Sequence, residues 1–535
     1  MTSRREFLKT AAATGGLILL DPRRLLGKST GTDYFGLNDF IENHTDAVFV
    51  LRTSVDVKTN TTAIKDAGFN LGKTLFVGKP GPDNAFPLTT NVAIKPNITS
   101  WSWDKPPIEQ TMGIQTDPYF VEGVIKSLTD LTVPGGSVFI RDANFSRART
   151  DGQWYSDLAA RTGINLTEPP PLGGGLAPGD VQWIDVPDGT WYKRIPYLWP
   201  FNSSGSCLIN IAKFKSHGMG MTLCSKNLQG TNARPYVAHC SAWGTAMQGV
   251  DPNDLQSDAF TTIYSNYNRH KPSIPRWMTL DGDPGAKSAG GLWMETHTAR
   301  CLDNNSVIHP LINIIEGVYG REGGFVAGPD PAGYGIDIMT NVVIFGKNAR
   351  HVDVIGAYLA GHEPGNFGLF HIARERGLSK FLNPHDVPLY EWKADGSATL
   401  TPLDNFQQTP IRTVYLPQPG EDAYHMVNQP YDYTATGVTG RQTHTDAPDA
   451  IAISQNFPNP FNPTTSIQYH IPASGEVRLE VFDVQGETVD VLVDGLQSAG
   501  DHLVVWRSDR RASGTYFYRL LFGGASKTRS MILVR

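Results

Sequence analysis

Between Ala47 and Gly163 short apolar runs alternate with stretches of helical period, and this alternation limits the fold more than any other feature of the sequence. Ala47-Val48-Phe49-Val50-Leu51 has the length of a buried strand, and Thr61 to Gly68 reads as a helix closed by its glycine. Val92 to Asn97 is a second strand, ended by Pro96, which has no N–H to give to a ladder. Asp117-Pro118 supplies an N-cap and a first helical residue for the helical pattern Tyr119 to Leu128. Ser137 to Asp142 is a further strand, and Tyr155 to Thr162 a short helix stopped at Gly163. Strand–helix–strand alternation implies parallel pairing with helices on the sheet faces. The expectation is an α/β domain with a largely parallel sheet, in which chemistry gathers beyond the carboxyl ends of the strands.

One segment after such a strand concentrates charge. Cys207 to Gly230 opens with the apolar Leu208, Ile209 and Ile211, then collects Lys213, Lys215, His217, Lys226 and Asn227 around Gly218, Gly220 and Gly230. A cationic, glycine-punctuated loop suits an anion, because ammonium groups and approachable backbone N–H groups both favour negative charge. A basic, solvated surface loop is the alternative. The strand-end rule places Lys95, Asp142 and this loop on one rim. His239 to Met294 is loop-rich and aromatic, with nothing assignable beyond irregular structure and short helices. Leu311 to Gly324 then reads as an apolar strand delivering Glu316 and Glu322 into a glycine-rich turn. Asn341 to Gly346 is a strand, and Ala349 to Ala360 a helix carrying Asp353, with His362 just beyond.

Glu322, Asp353, His217 and His362 could serve as general acid–base groups or as ligands of a divalent metal, although their spacing requires neither. Ion pairs that pin loops, with Asp353 capping or orienting its helix, are the structural alternative. A lysine held among other cations could act as a nucleophile or base. His239, His270 and His297 sit in unpatterned stretches and read as structural or surface histidines. Cys207, Cys224, Cys240 and Cys301 form no C-x-x-C pair, so buried thiols are expected and cysteine-bound metal is not.

The runs IKPN (Ile94–Asn97), TDPYFVEGVIK, INIAKFKSHG with SKNLQG, IIEGVYGREGG and FGKNARHVDVIGAYLAG together resemble the family catalogued as domain of unknown function 362, over about Phe49 to Leu382. The resemblance implies recurring polar positions at Lys95, Lys213, Lys215, His217, Lys226, Asn227, Glu316, Glu322 and Asp353. Many relatives carry a ferredoxin segment with closely spaced cysteines. This chain has none, so no iron–sulfur cluster is expected. Where relatives often have Asp before Gly in the fourth motif, this chain has Glu316. An exported enzyme would use Lys213, Lys215, His217, Lys226, Glu322 and Asp353 for catalysis. Lys95, Asn227, Gly230 and Glu316 would hold a cofactor or small anionic ligand whose identity is open. A binding protein that captures such a ligand without turnover is the rival reading, and a purely structural surface protein the third.

The two ends read as addresses. Ser3-Arg4-Arg5-Glu6-Phe7-Leu8-Lys9 resembles the twin-arginine export signal, followed by the short apolar stretch Thr10 to Leu20 within a signal region spanning 1–32. The α/β domain is expected over 33–392, and an extension and linker over 393–450. Over 451–535, NFPNPFNPTTSIQYHIP, VRLEVFDVQGE, SAGDHLVVW and ASGTYFYRL closely resemble the C-terminal sorting domain of type IX secretion, expected as a small all-β immunoglobulin-like sandwich. These resemblances imply the twin-arginine translocase and the type IX machinery as partners, and passage through the periplasm to the cell surface or outside. At 535 residues, several domains of roughly 100–200 residues fit the length. The net charge of −6 gives nucleic-acid binding no support, and no apolar run after the N-terminus is long enough to span a membrane stably.

Overall fold

The computed structural model describes residues 33–98, 112–147, 150–171, 176–217, 220–237, 249–275, 291–327, 334–409, 411, 413–414, 425–426, 430–433, 451–453, 456, 459, 461–497, 500–508 and 511–534. The export signal, Gly218, His239, Cys240 and the linker stretch 434–450 lie outside them. Contacts divide the chain into two compact units, Met1–Gly440 and Arg441–Arg535. Among the described residues no helix is long and apolar enough to cross a membrane.

The first unit is built on a ten-stranded mixed sheet. Its strands are β1 (Val48–Arg52), β2 (Asn91–Pro96), β3 (Val138–Ile140), β4 (Asn165–Leu166), β5 (Ser206–His217), β6 (Gly220–Thr222), β7 (Ile312–Ala327), β8 (Tyr334–Gly346), β9 (Leu389–Trp392) and β10 (Ala398–Leu400). The spatial order is β10-β9-β1-β8-β7-β5-β2-β3-β4, with β6 folded back on β5. β7, β5, β2, β3 and β4 run parallel, as does β9 beside β1, while β8 is antiparallel to both neighbours. The α/β architecture with mostly parallel strands follows the sequence reading.

Helices cover both faces. On one lie α1 (Thr61–Leu75), α2 (Pro118–Asp130) and α3 (Thr150–Thr162), where Leu71, Phe120, Val124 and Leu158 share a core with Ile94, Ile209, Ile211 and Ile314. On the other lie the short α4 (Cys224–Asn227), α5 (Ala259–His270), α6 (Gly291–Val307), α7 (Ala349–Leu359) and α8 (Gly368–Glu375). There Leu302, Val352, Ile355 and Phe370 meet Ala93, Leu208, Ala212 and Ile315. Asp117 caps α2 by accepting from Tyr119 N, at 2.8 Å, and Phe120 N, as its sequence position implied. Gly163, at φ +70°, follows the end of α3 in the left-handed conformation that glycine adopts without penalty.

Three local readings change. α1 does not stop at Gly68. It runs on to Leu75, and Gly68 is the point where α2 crosses: a Cβ there would lie 2.1 Å from Phe120 O, and one on Gly123 2.1 Å from Lys65 O. The glycine serves close backbone approach, which sequence alone does not separate from a helix stop. Likewise the glycines after Glu316 make no turn. β7 continues through them to Ala327, paired with β8, and Gly320 leaves room for the Ile411 side chain, whose Cδ1 would be 2.1 Å from an added Cβ. The stretch after His239 contains α5, a full helix rich in Thr, Tyr and Asn, whose weak helix propensity hid it. Past Trp392 the chain stays on the same body, with β10 pairing β9 and Tyr433 Oη donating to Glu363 Oε2 at 3.0 Å.

The second unit comprises β11 (Ala452–Ile453), β12 (Thr464–Ile471), β13 (Gly475–Phe482), β14 (Thr488–Gln497), β15 (Gly500–Arg507), β16 (Gly514–Phe522) and β17 (Ala525–Leu533). Two antiparallel sheets, β11-β12-β15 and β14-β13-β16-β17, share a core of Ile467, Tyr469 and Trp506 with Leu479, Tyr518 and Leu520. Gly486, Gly523 and Gly524 turn the chain at positive φ. The edge strand β14 was not read from the sequence. Its outward Val491 and Leu496 leave no clean apolar alternation.

Replacing Gly123 by Ala should destabilise the first unit by about 1–3 kcal/mol through overpacking against α1, despite alanine's better helix propensity. Urea unfolding with an unchanged m-value is the check; a gain in stability would refute the close crossing.

Candidate functional site

Of the lysines expected in a loop, Lys213 and Lys215 are carried by β5 itself and Lys226 by α4. Lys213 pairs in register with Glu316 of β7, on the face of α1 and α2, and donates to its Oε2 at 2.6 Å with both side chains fully buried. The ammonium also stands over the Tyr319 ring, 3.4 Å from its centroid. Tyr319 Oη donates to Asp117 Oδ2 at 2.7 Å, and Asp117 N to Glu316 Oε2 at 3.2 Å. Burial raises the pKa of both Asp117 and Glu316, while the Lys213 charge pulls each down. This is a closed knot of charge and hydrogen bonds, not an exposed anion site.

Lys95 lies on the opposite face. Its ammonium donates to Asp142 Oδ2 at 2.6 Å, Pro96 O at 2.7 Å and Asn227 Oδ1 at 3.2 Å, again fully buried. Burial lowers its pKa against the opposing pull of Asp142. From it a relay of amides crosses the sheet: Asn227 Nδ2 donates to Asn210 Oδ1 at 2.8 Å, Asn210 Nδ2 to Asn313 Oδ1 at 2.8 Å, and Asn313 Nδ2 to Lys347 O at 2.9 Å. Gly230 is part of this packing and not an anion cradle, since a Cβ there would lie 2.6 Å from Lys95 Cε.

The single rim expected for Lys95, Asp142 and the basic segment is therefore replaced by two buried networks, one on each face. Lys215 donates to Ile114 O at 2.6 Å and Asn97 Oδ1 at 3.3 Å, and His217 is buried at the end of β5. Glu322 is half-buried on β7, and His362 Nε2 bonds Ile411 O at 2.9 Å. His217, Glu322, Asp353 and His362 do not come together: among the described residues no three His, Cys, Asp or Glu side chains are grouped to hold a metal ion.

Two of the expected residues do meet at a pocket. Lys226 of α4 and Asp353 of α7 line a cavity of about 50 Å³ with His297, Thr298 and Cys301 of α6, walled by Met221, Leu223, Phe367 and Phe370. The enclosed part has room for a few water-sized groups. Lys226 Nζ contacts Thr222 Oγ1 at 3.3 Å and stays partly exposed. Asp353 caps its neighbour and not its own helix: Oδ1 accepts from Cys224 N and Oδ2 from Ser225 N, each at 2.7 Å. Burial pushes its pKa up to about 6 in spite of these bonds. His297 and Cys301, missed in the sequence because α6 was not recognised, stand one helical turn apart with Nε2 and Sγ 3.4 Å from each other. Cys207, Cys224 and Cys301 are buried thiols, as expected.

Residues 92–358 fit the family model described as Domain of unknown function (DUF362). The central domain belongs to this family. No curated protein matches the chain. The DUF362 segment includes every candidate from Lys95 to Asp353, both buried networks and the α6 and α7 walls of the pocket, whereas Phe367 and Phe370 follow it.

Behind the pocket His270 is clamped, its Nδ1 2.9 Å from Glu295 Oε2 and its Nε2 2.9 Å from Glu375 Oε2, which also takes Arg269. Burial opposes charge on the ring, but the two carboxylates outweigh it and raise the pKa to about 9. Glu375 falls to about 2, burial being overcome by His270 and Arg269. The histidine is thus structural, as read.

Replacing Lys213 by Met leaves Glu316 buried without its counter-charge and should cost about 3–5 kcal/mol in urea unfolding, while Lys213→Met with Glu316→Leu recovers most of it. The His270 clamp fixes a pH dependence. Its raised folded pKa makes its contribution complete below the usual 6.5 and lost as pH rises through about 9. Melting temperature should therefore fall over that interval in the native sequence, and the fall should flatten in His270→Gln.

Proposed function

We propose that this chain is an exported protein whose DUF362 domain acts on a small anionic organic molecule in the pocket between α4, α6 and α7. The observation that supports this is the convergence of Lys226 with Asp353 at one largely apolar cavity, in a domain where the other lysines named from sequence are buried in networks of their own. Lys226 supplies a counter-charge for a carboxylate or phosphate. Asp353, whose pKa burial lifts to about 6, is suited to exchange a proton with the bound molecule. Because both of its oxygens already accept backbone N–H groups, the second reading is capture of the same anion without turnover.

Delivery follows from the two ends: twin-arginine export directed by Ser3–Lys9, then type IX secretion directed by the C-terminal unit, read as an immunoglobulin-like sorting domain, with the cell surface or the outside as destination.

Small mono- and dicarboxylates and inorganic phosphate, screened by thermal shift, should include a stabilising anion, worth about 2.7 kcal/mol at a hundredfold excess over Kd. The shift should vanish in Lys226→Met. Product formed from the stabilising anion supports the enzyme; binding without product supports capture. Arg4→Lys with Arg5→Lys should hold the chain in the cytoplasm, and removal of 451–535 should stop it in the periplasm; fractionation that shows neither would refute the delivery route.

A further inference from the structure

The pocket holds a group with chemistry of its own. Cys301 and His297 occupy successive turns of α6 and both face the cavity that Lys226 and Asp353 line. Their separation of 3.4 Å suits proton transfer from a thiol to an imidazole nitrogen. All three described thiols are buried, and what sets Cys301 apart is the imidazole beside it. Burial pushes the Cys207 thiol up with no compensating partner, and burial followed by the Asp353 carboxylate does the same to Cys224. Met221, Leu223, Phe367 and Phe370 wall the cavity with apolar groups beside the sulfur. Among the described residues that line the cavity, the charged groups from the neighbouring helices are Lys226 of α4 and Asp353 of α7, of opposite sign.

We propose that Cys301 is a nucleophile, with His297 as its proton acceptor, toward an activated acyl carbon (an ester or thioester) of the anionic molecule held by Lys226. This rests on the anionic-ligand reading of the pocket. In the first step a Cys301 Sγ–carbon bond forms and the bond from the acyl carbon to its oxygen or sulfur leaving group breaks. The leaving group departs with the electron pair and takes the thiol proton by way of His297. In the second, water gives its oxygen to the acyl carbon and a proton, through His297, back to Sγ, releasing a carboxylic acid and the thiol. His297 is a positioning and proton-carrying residue for the thiol.

The test is alkylation of the folded full chain by iodoacetate, an anion, and iodoacetamide, its neutral analogue, with each cysteine read separately by peptide mass. Sγ displaces iodide and its proton passes to His297. Cys301 should react in the folded protein while Cys207 and Cys224 do not. Relative to the unfolded chain, Cys301 should favour iodoacetate over iodoacetamide by about tenfold, the scale of one charged hydrogen bond, and Lys226→Met should abolish the preference. Reaction in the native protein should persist well below the ordinary thiol range of about 8.5, and His297→Gln should return it to that range. An inert Cys301 in folded protein that labels fully on unfolding overturns the proposal. So does a native pH profile that inflects only in the ordinary range, which is decisive even if His297→Gln does not fold. A His297-dependent reaction with no preference for iodoacetate sustains the nucleophile and sinks the anionic-ligand reading. A stabilising anion in the thermal-shift screen beside an inert Cys301 does the reverse.

Discussion

Lys213 and Glu316 meet in the middle of the sheet, both fully buried, and the central strands depend on that contact. Each ion gives up hydration worth several kcal/mol, so neither is tolerable there without the other and without further hydrogen bonds. Those come from the backbone of Asp117 and Val318 to the carboxylate, and from the Tyr319 ring beneath the ammonium. The knot ties β5 and β7 to the start of α2. On the opposite face, Lys95 and Asp142 tie β2 to the turn after β3 in the same way, and the amide relay carries the tie across to β7. The sheet is thus fastened by polar contacts that are satisfied on both sides, between two apolar layers.

The architecture was legible where local chemistry and tertiary demand agree. Asp117 ahead of Pro118 caps α2 because a carboxylate there answers open N–H groups whatever the surroundings, and Gly163 ends α3 for an equally local reason. Gly68, Gly230 and the glycines of β7 misled because their role is set by a neighbour distant in sequence: α2, the Lys95 side chain, Ile411. A glycine required for crowding looks the same in one dimension as a glycine required for a turn. The lysines misled differently. Charge clusters usually belong to solvent, and only the pairing of Lys213 with Glu316 and of Lys95 with Asp142, each far along the chain from its partner, makes their burial possible.

The candidate site shows the same division. Lys226 and Asp353 were identifiable as polar residues in recurring motifs, and they do line one cavity. Their neighbours His297 and Cys301 were not, since the signal is a spacing of four that means something only once a helix is known to run through it. Asp353 spends both oxygens on the N-terminus of α4, so the same carboxylate that borders the pocket also places Lys226 there. Structure and prospective chemistry are coupled through one side chain.

The alternation along β5 also bears on how the sheet finds its register. Apolar strands stacked in parallel can pair almost as well one residue out of step, since valine and isoleucine are nearly interchangeable in a two-sided core. Here an offset of one would drive the Lys213 ammonium into the layer of Leu302 and Val352, and the Asn210 amide among Ile94, Phe120 and Val124. The buried charges therefore discriminate between registers: a strand one residue out of step would set unscreened ions in an apolar layer, whereas an all-apolar strand would carry no such penalty.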